Sequence, residues 1–193
     1  MKKTGKLFII SGPSQVGKDS VVRTLKKNKA LGLTGIVTNT TRAKRPGEKS
    51  GVELNFLTDK KFDELIKKGE LLEWAYVRGG RFGTPKKPVI SALNKRQDVI
   101  INIDVQGTKK VVKQMPQAIT IFITAESTNE VRRRIFLSKK MTLKQKKYRW
   151  QEAQKELKAI KHYDYIIINR WGKLAETTKR VANIINKLNN AQS

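Results

Sequence analysis

Residues 12–20 read Gly12-Pro13-Ser14-Gln15-Val16-Gly17-Lys18-Asp19-Ser20, types and spacing suited to holding phosphate. Glycines let consecutive backbone N–H groups turn toward one anion, and a helix beginning there adds its positive end. Lys18 supplies a mobile charge for the outer phosphates of a nucleoside triphosphate. The usual form of this loop closes Gly-Lys-Ser/Thr, with the hydroxyl on a magnesium ion; here Asp19 follows the lysine and Ser20 comes one place late. The plainer alternative, a glycine turn with an exposed lysine, is outweighed by context. The apolar run Leu7–Ile10 leads directly into the loop, and Val21, Val22 and Leu25 follow at helical spacing.

The elements that must position this loop can be read from the rest of the chain. Isoleucine- and valine-rich runs recur at 7–10, 99–103, 119–123 and 165–168, separated by helical patterns at 21–27, 89–93, 131–136 and 181–188. Such alternation predicts an α/β fold, a parallel sheet covered on both faces by helices. Residues 35–85 differ. Val52, Leu54, Phe56 and then Leu72, Trp74, Tyr76 alternate as strands do, with a turn at Gly79-Gly80, and Thr58 can cap a helix from Asp59 to Gly69. These features predict a small, mainly antiparallel lobe inserted into the core. Residues 131–150 hold nine basic side chains and no acidic one, and their weak periodicity near 138–143 predicts a mobile flap.

Composition bounds the reading further. A chain of 193 residues makes one domain with small insertions. It has no cysteine and a single histidine, His162, which removes disulfides, thiolate metal sites and histidine-based hydrolase schemes. No stretch approaches the roughly 20 apolar residues of a membrane span, and Met1-Lys2-Lys3 leads into a strand, not a secretory segment; a cytoplasmic or organellar protein is expected. Forty-two basic residues against sixteen acidic ones give a net charge of +26. A surface this basic attracts polyanions through counterion release.

Four further segments identify a resemblance: Thr40-Thr41-Arg42-Ala43-Lys44-Arg45-Pro46-Gly47-Glu48, Leu72-Glu73-Trp74, Gly83-Thr84-Pro85 and Ile103-Asp104-Val105-Gln106-Gly107. With the glycine loop and Tyr163-Asp164-Tyr165-Ile166-Ile167-Ile168-Asn169, they occur in the order and at the spacing of guanylate kinases, from about Lys6 to Leu188. The resemblance implies a P-loop kinase core (residues 1–34, 86–130 and 151–193), a GMP-binding lobe (35–85) and a helical lid (131–150). The implied reaction is transfer of the γ-phosphoryl of ATP to GMP with Mg2+ as cofactor.

The same resemblance implies the site. Gly12 to Ser20 and Asn169 would serve ATP, with Asp19 as the metal ligand. Thr38, Arg42, Arg45, Glu73, Phe82, Thr84 and Asp104 would serve GMP, and Lys18, Arg42, Arg134 and Arg149 would act in catalysis. The chemistry is coherent. Guanine offers a ring N–H and an exocyclic amine side by side, which a carboxylate such as Glu73 or Asp104 can accept, while the Thr84 hydroxyl can serve the carbonyl oxygen. Arg42 and Arg45, three apart, can fork a dianionic phosphate. The attacking oxygen is already ionised, so catalysis reduces to positioning and electrostatics. Trp74, His162 and Trp171 read as packing or surface residues.

Several positions depart from the family pattern. Asn102 stands where many members carry an acid, so a carboxylate has left that strand end while Asp19 has joined the loop. Leu54 and Phe82 replace tyrosines whose hydroxyls reach the GMP phosphate. Two such hydrogen bonds lost would weaken GMP binding roughly a hundredfold or more. Ser138-Lys139-Lys140 falls on the lid's Arg-Gly-Thr, and loss of a transition-state arginine can cost on the order of 10³–10⁵ in rate. Two functions follow as expectations: a GMP kinase, slowed by these changes, or a catalytically impaired member that binds RNA or the ribosome through its basic surface. No membrane partner is expected.

Overall fold

A computed structural model describes residues 4–190 except 53, 78 and 140; Met1–Lys3 and Lys140, named above, lie outside the described residues. The elements in chain order are strand β1 (Leu7–Ser11), helix α1 (Lys18–Lys27), short strands β2 (Thr34–Gly35), β3 (Thr38–Thr40) and β4 (Leu54–Phe56), and helix α2 (Asp59–Lys67). Strands β5 (Leu71–Val77) and β6 (Gly80–Pro85) form the next pair, followed by helix α3 (Lys86–Asn94), strand β7 (Val99–Asn102) and helix α4 (Val105–Gln114). The chain closes with strand β8 (Ile119–Thr124), helices α5 (Thr128–Leu137) and α6 (Leu143–Lys158), strand β9 (Tyr165–Ile168) and helix α7 (Leu174–Asn190).

Two compact units are distinguished. One comprises the segment up to Leu7, Thr34–Val99 and Gln106–Ala118; the other comprises Phe8–Leu33, Ile100–Val105 and the chain from Ile119 onward. In the second unit the strands run in the order β7-β1-β8-β9, and β1 with β8 and β8 with β9 pair in parallel. All five residues of β1 are buried, as an inner strand covered on both faces requires. Phe8, Ile10, Ile121 and Ile123 meet Val21, Leu25, Val131, Ile135, Val181 and Ile185 in the main core. Phe122 points to a smaller cluster with Val105 and Ala159. The four apolar runs thus became the four strands, within a residue at each end.

In the first unit the sheet order is β4-β3-β6-β5. The β3–β6 and β5–β6 pairs are antiparallel, while β3 and β4 run parallel. Thr58 caps α2 by accepting from the Lys61 N–H at 3.3 Å, which accounts for the helix start legible in the sequence. Strand β5 is an edge, and its outward carbonyls are met by α4: Lys110 Nζ donates to Trp74 O and Gln114 Nε2 to Leu72 O, each at 2.6 Å. Residues four apart on a helix share a face, so one turn of α4 covers an edge that would otherwise offer unpaired backbone groups.

The segment expected to be irregular near 138–143 is a break between two helices. Thr142 opens α6 with a full capping box, its hydroxyl accepting from Gln145 N and Gln145 Oε1 accepting from Thr142 N. No described helix is long and apolar enough to cross a membrane.

Asp164, from the Tyr-Asp-Tyr segment, staples β9 to the start of β8: its Oδ2 accepts from Thr120 N at 2.8 Å and Thr120 Oγ1 at 2.7 Å. Asp164→Ala strands both donors and should destabilise the chain by about 1–3 kcal/mol, read as a lower urea midpoint with an unchanged slope.

Candidate active site

The glycine loop lies between β1 and α1, in the strand–loop–helix order that presents backbone N–H groups to an anion. Gly17 precedes α1 with φ of +91°, and a Cβ there would stand 2.6 Å from Asn169 Nδ2. Asn169 is buried just past β9. Its Nδ2 donates to Val16 O at 2.8 Å, and its Oδ1 accepts from Thr177 Oγ1 of α7 at 2.7 Å. The amide is therefore fixed in orientation and grips the loop from behind. Lys18, the first residue of α1, is buried to 9% exposure and donates from Nζ to Pro13 O at 2.5 Å, curling back over the loop that it follows. Gln15 takes φ of +65° without being glycine, a local strain of the kind that gathers at ligand-binding loops. Ser14 and Ser20 are half-buried.

Asp19 sits in the first turn of α1, exposed, and Asn102 ends β7. Ile103 N donates to Ile10 O at 3.2 Å, which fastens the end of β7 beside β1 and the loop. Asn102 Nδ2 donates to Asp19 Oδ1 at 2.5 Å. Asp104, two residues on, is half-buried. Two positions where the sequence departs from the family pattern, Asp19 and Asn102, are thus in direct contact although 83 residues apart.

Of the basic residues in 131–150, Arg134 is tied down. Its side chain is 3% exposed and bonds Glu126 at 3.0 Å and Glu130 at 2.7 Å. Glu130 also takes Arg133 Nε at 2.6 Å. Both guanidiniums lie over the ring of Trp171, at 4.8 Å for Arg133 and 5.4 Å for Arg134; the indole is 60% exposed. Arg149 is half-buried on α6, and Lys139 is exposed. Ser138 ends α5.

The other expected residues lie in the first unit. Glu73 on β5 pairs across to Thr84 on β6, beside an irregularity in the register that re-aims the strand. Glu73 is 6% and Thr84 1% exposed, and Glu73 Oε1 accepts from Thr84 Oγ1 at 2.6 Å and Thr84 N at 3.1 Å. A Cβ on Gly107 in α4 would stand 2.7 Å from Glu73 Oε2; that close approach is the physical reason for glycine in the Asp-Val-Gln-Gly segment.

Arg42 follows β3 and is oriented by three contacts. It donates to both oxygens of Glu48 (2.8 and 3.0 Å) and to Ala43 O (2.6 Å), and it lies 5.5 Å over the Phe56 ring. Arg45 is exposed at its side chain, while its N–H donates to the same Glu48 at 2.8 Å. The Arg42 hydrogen bonds, then that backbone N–H, hold the Glu48 carboxyl below its ordinary range. Thr38 and Leu54 are register partners, and Phe82 lies between Thr40 and Ala75; all three side chains at 38, 54 and 82 are half-buried. Glu48, Asn102, Thr177 and Gly107 had no assigned role in the sequence reading. Glu48 and Gly107 lie inside recognisable segments and Asn102 is a departure from the family pattern, whereas Thr177 carried no local signal.

A glycine loop between an inner strand of a parallel sheet and a helix, with a lysine returning over it, defines a P-loop nucleotide-binding protein. The family pattern of guanylate kinase matches residues 4–188. Guanylate kinase from Lactobacillus johnsonii is 39% identical over 88% of this chain and 83% of its own length. That from Clostridioides difficile is 36% identical over 99% and 92%. The crystal structure of guanylate kinase from Anaplasma phagocytophilum superposes with a TM-score of 0.77 at 30% identity, covering 96% of this chain and 87% of that one. The chain belongs to the guanylate kinase family.

Hydrogen bonds from Arg133 and then Arg134 hold the Glu130 carboxyl down to about 2, from an ordinary 4.5. A carboxyl depressed in the folded state contributes stability that is full above its unfolded value and lost as pH falls through the folded one. Thermal stability should therefore fall as pH drops from 4.5 to about 2, and Glu130→Gln should flatten that part of the profile. Parallel profiles for the two proteins would refute the pairing.

Proposed function

We propose that this chain is an ATP-dependent kinase of GMP. The observation that carries the reading is the buried Glu73–Thr84 pair in a chain that also holds the glycine loop. One carboxylate oxygen is held by Thr84, and the group as a whole suits the two adjacent donors of guanine. Adenine presents a donor beside an acceptor and would leave the carboxylate facing a lone pair.

Gly12 to Ser20 bind the triphosphate through main-chain N–H groups, with Lys18 on its outer phosphates and Asn169 bracing the loop. Thr38, Arg42, Arg45, Phe82, Thr84 and Asp104 join Glu73 in holding GMP, Arg42 and Arg45 at the phosphate. A GMP phosphate oxygen, already anionic, forms the new bond to the γ-phosphorus as the bond to the β–γ bridging oxygen breaks. ADP departs with that electron pair, and no proton need move first. Lys18, Arg134 and Arg149 offset charge on the transferring group. Asp19 foremost among the oxygen donors at the loop would hold magnesium, which would supply charge neutralisation to the triphosphate. With Ser138 in place of an arginine, Lys139 is the exposed cation nearest that position in sequence, a point charge without the fork. The RNA- or ribosome-binding alternative draws on net charge and on the changes at positions 54, 82 and 138, and gains no support from the relatives.

A coupled assay of the purified chain with ATP, magnesium and GMP should yield GDP and ADP in equal amounts, with AMP a poor acceptor. No turnover above background at saturating GMP would sink the reading. Glu73→Gln should lower kcat/KM for GMP roughly 10- to 150-fold, the cost of a hydrogen bond to a buried charge, and narrow the gap to AMP. Gly107→Ala pushes a methyl against Glu73 and should act the same way, since a misplacement of about 1 Å costs on the order of 10²-fold. The KM for ATP should hold steady in both.

A further inference from the structure

A P-loop ordinarily presents a hydroxyl to the nucleotide's divalent cation, while an acidic residue at the end of a neighbouring strand supplies the carboxylate. This chain has the two chemistries the other way round. Asp19 takes the hydroxyl position in the first turn of α1, and Asn102 takes the strand end. They are not two independent substitutions, because Asn102 Nδ2 donates to Asp19 Oδ1 at 2.5 Å. The contact depends on the Ile103–Ile10 bond, which sets the end of β7 against the loop. Each arrangement carries one negative charge, borne here by the loop and not by the strand end.

We propose that Asp19 is the protein's carboxylate ligand to the divalent cation of bound ATP, and that Asn102 is a positioning residue that fixes its orientation. An ionised carboxylate has about four lone-pair sites, so the amide bond to one oxygen leaves ample capacity for a cation. An aspartate side chain in solution rotates freely; tied to Asn102 it presents one rotamer. Asp19 also complements the positive end of α1, and that purely structural role is what a test must separate. The inference rests on the proposed binding of ATP at this loop.

The test uses the full chain, ATP without GMP, and Mn2+ as a spectroscopic probe. ATP affinity is measured in EDTA, and Mn2+ affinity of the ATP complex is measured by electron paramagnetic resonance. Asn102→Ala should weaken Mn2+ binding about 10- to 100-fold, as loss of an outer partner does at metal sites, with ATP affinity in EDTA unchanged. Asp19→Ser should weaken it at least as much. Adding Asn102→Asp to Asp19→Ser should recover most of the loss, since that pair restores the ordinary arrangement; a helix-terminus role for Asp19 predicts no such recovery. Unaltered Mn2+ affinity in Asn102→Ala, or a double variant no better than Asp19→Ser, overturns the inference while leaving ATP binding intact. A wild-type chain that binds no ATP with or without metal overturns the functional reading and this one together.

Discussion

The grip of Asn169 on the Val16 carbonyl is the contact on which the phosphate loop depends. A loop that aims its N–H groups outward at an anion must leave its carbonyls facing in, and a buried carbonyl without a partner is costly. Asn169 meets that demand with one end of its amide while Thr177 holds the other, so α7 fixes the loop's shape from beneath. The same requirement forces glycine at 17, where any side chain would strike the amide. Residues more than 150 positions apart in the chain thereby become one device.

Acidic groups are scarce here, and several of the described ones are deployed where arginines need orientation. Glu48 sets Arg42, Glu130 and Glu126 set Arg134, and Asp59 and Asp63 set Arg81 over the Phe62 ring. Exposed ion pairs contribute little to stability. Their use here is directional: each converts a flexible guanidinium into one with a defined heading. Lysines, by contrast, mostly remain on the surface and make up the large positive excess.

The frame of the molecule was legible because its signals are local. Inner strands announce themselves as short isoleucine-valine runs, and Thr58 before Asp59 marks a helix start by capping chemistry alone. Helix α4 escaped notice: Val105, Val111 and Val112 are too few to give a clear period, and its other face is spent on the carbonyls of β5. The lid region looked irregular because two helices meet within it, each with its own phase. At the site, carboxylates and arginines stood out by type and by family spacing. Thr177 did not, and Asn102 did so only as a departure from the family pattern, because an amide and a hydroxyl acquire meaning only from the partner that the fold brings to them.

Trp171 offers a last consequence. Its indole is largely open to solvent yet roofed by two guanidiniums from α5, one of which is buried and paired with two carboxylates. Cationic neighbours of this kind alter the emission of an indole, and any rearrangement of α5 would lift them away. The chain therefore carries its own optical gauge of that helix, built in without a label, on the turn next to the asparagine that shapes the loop.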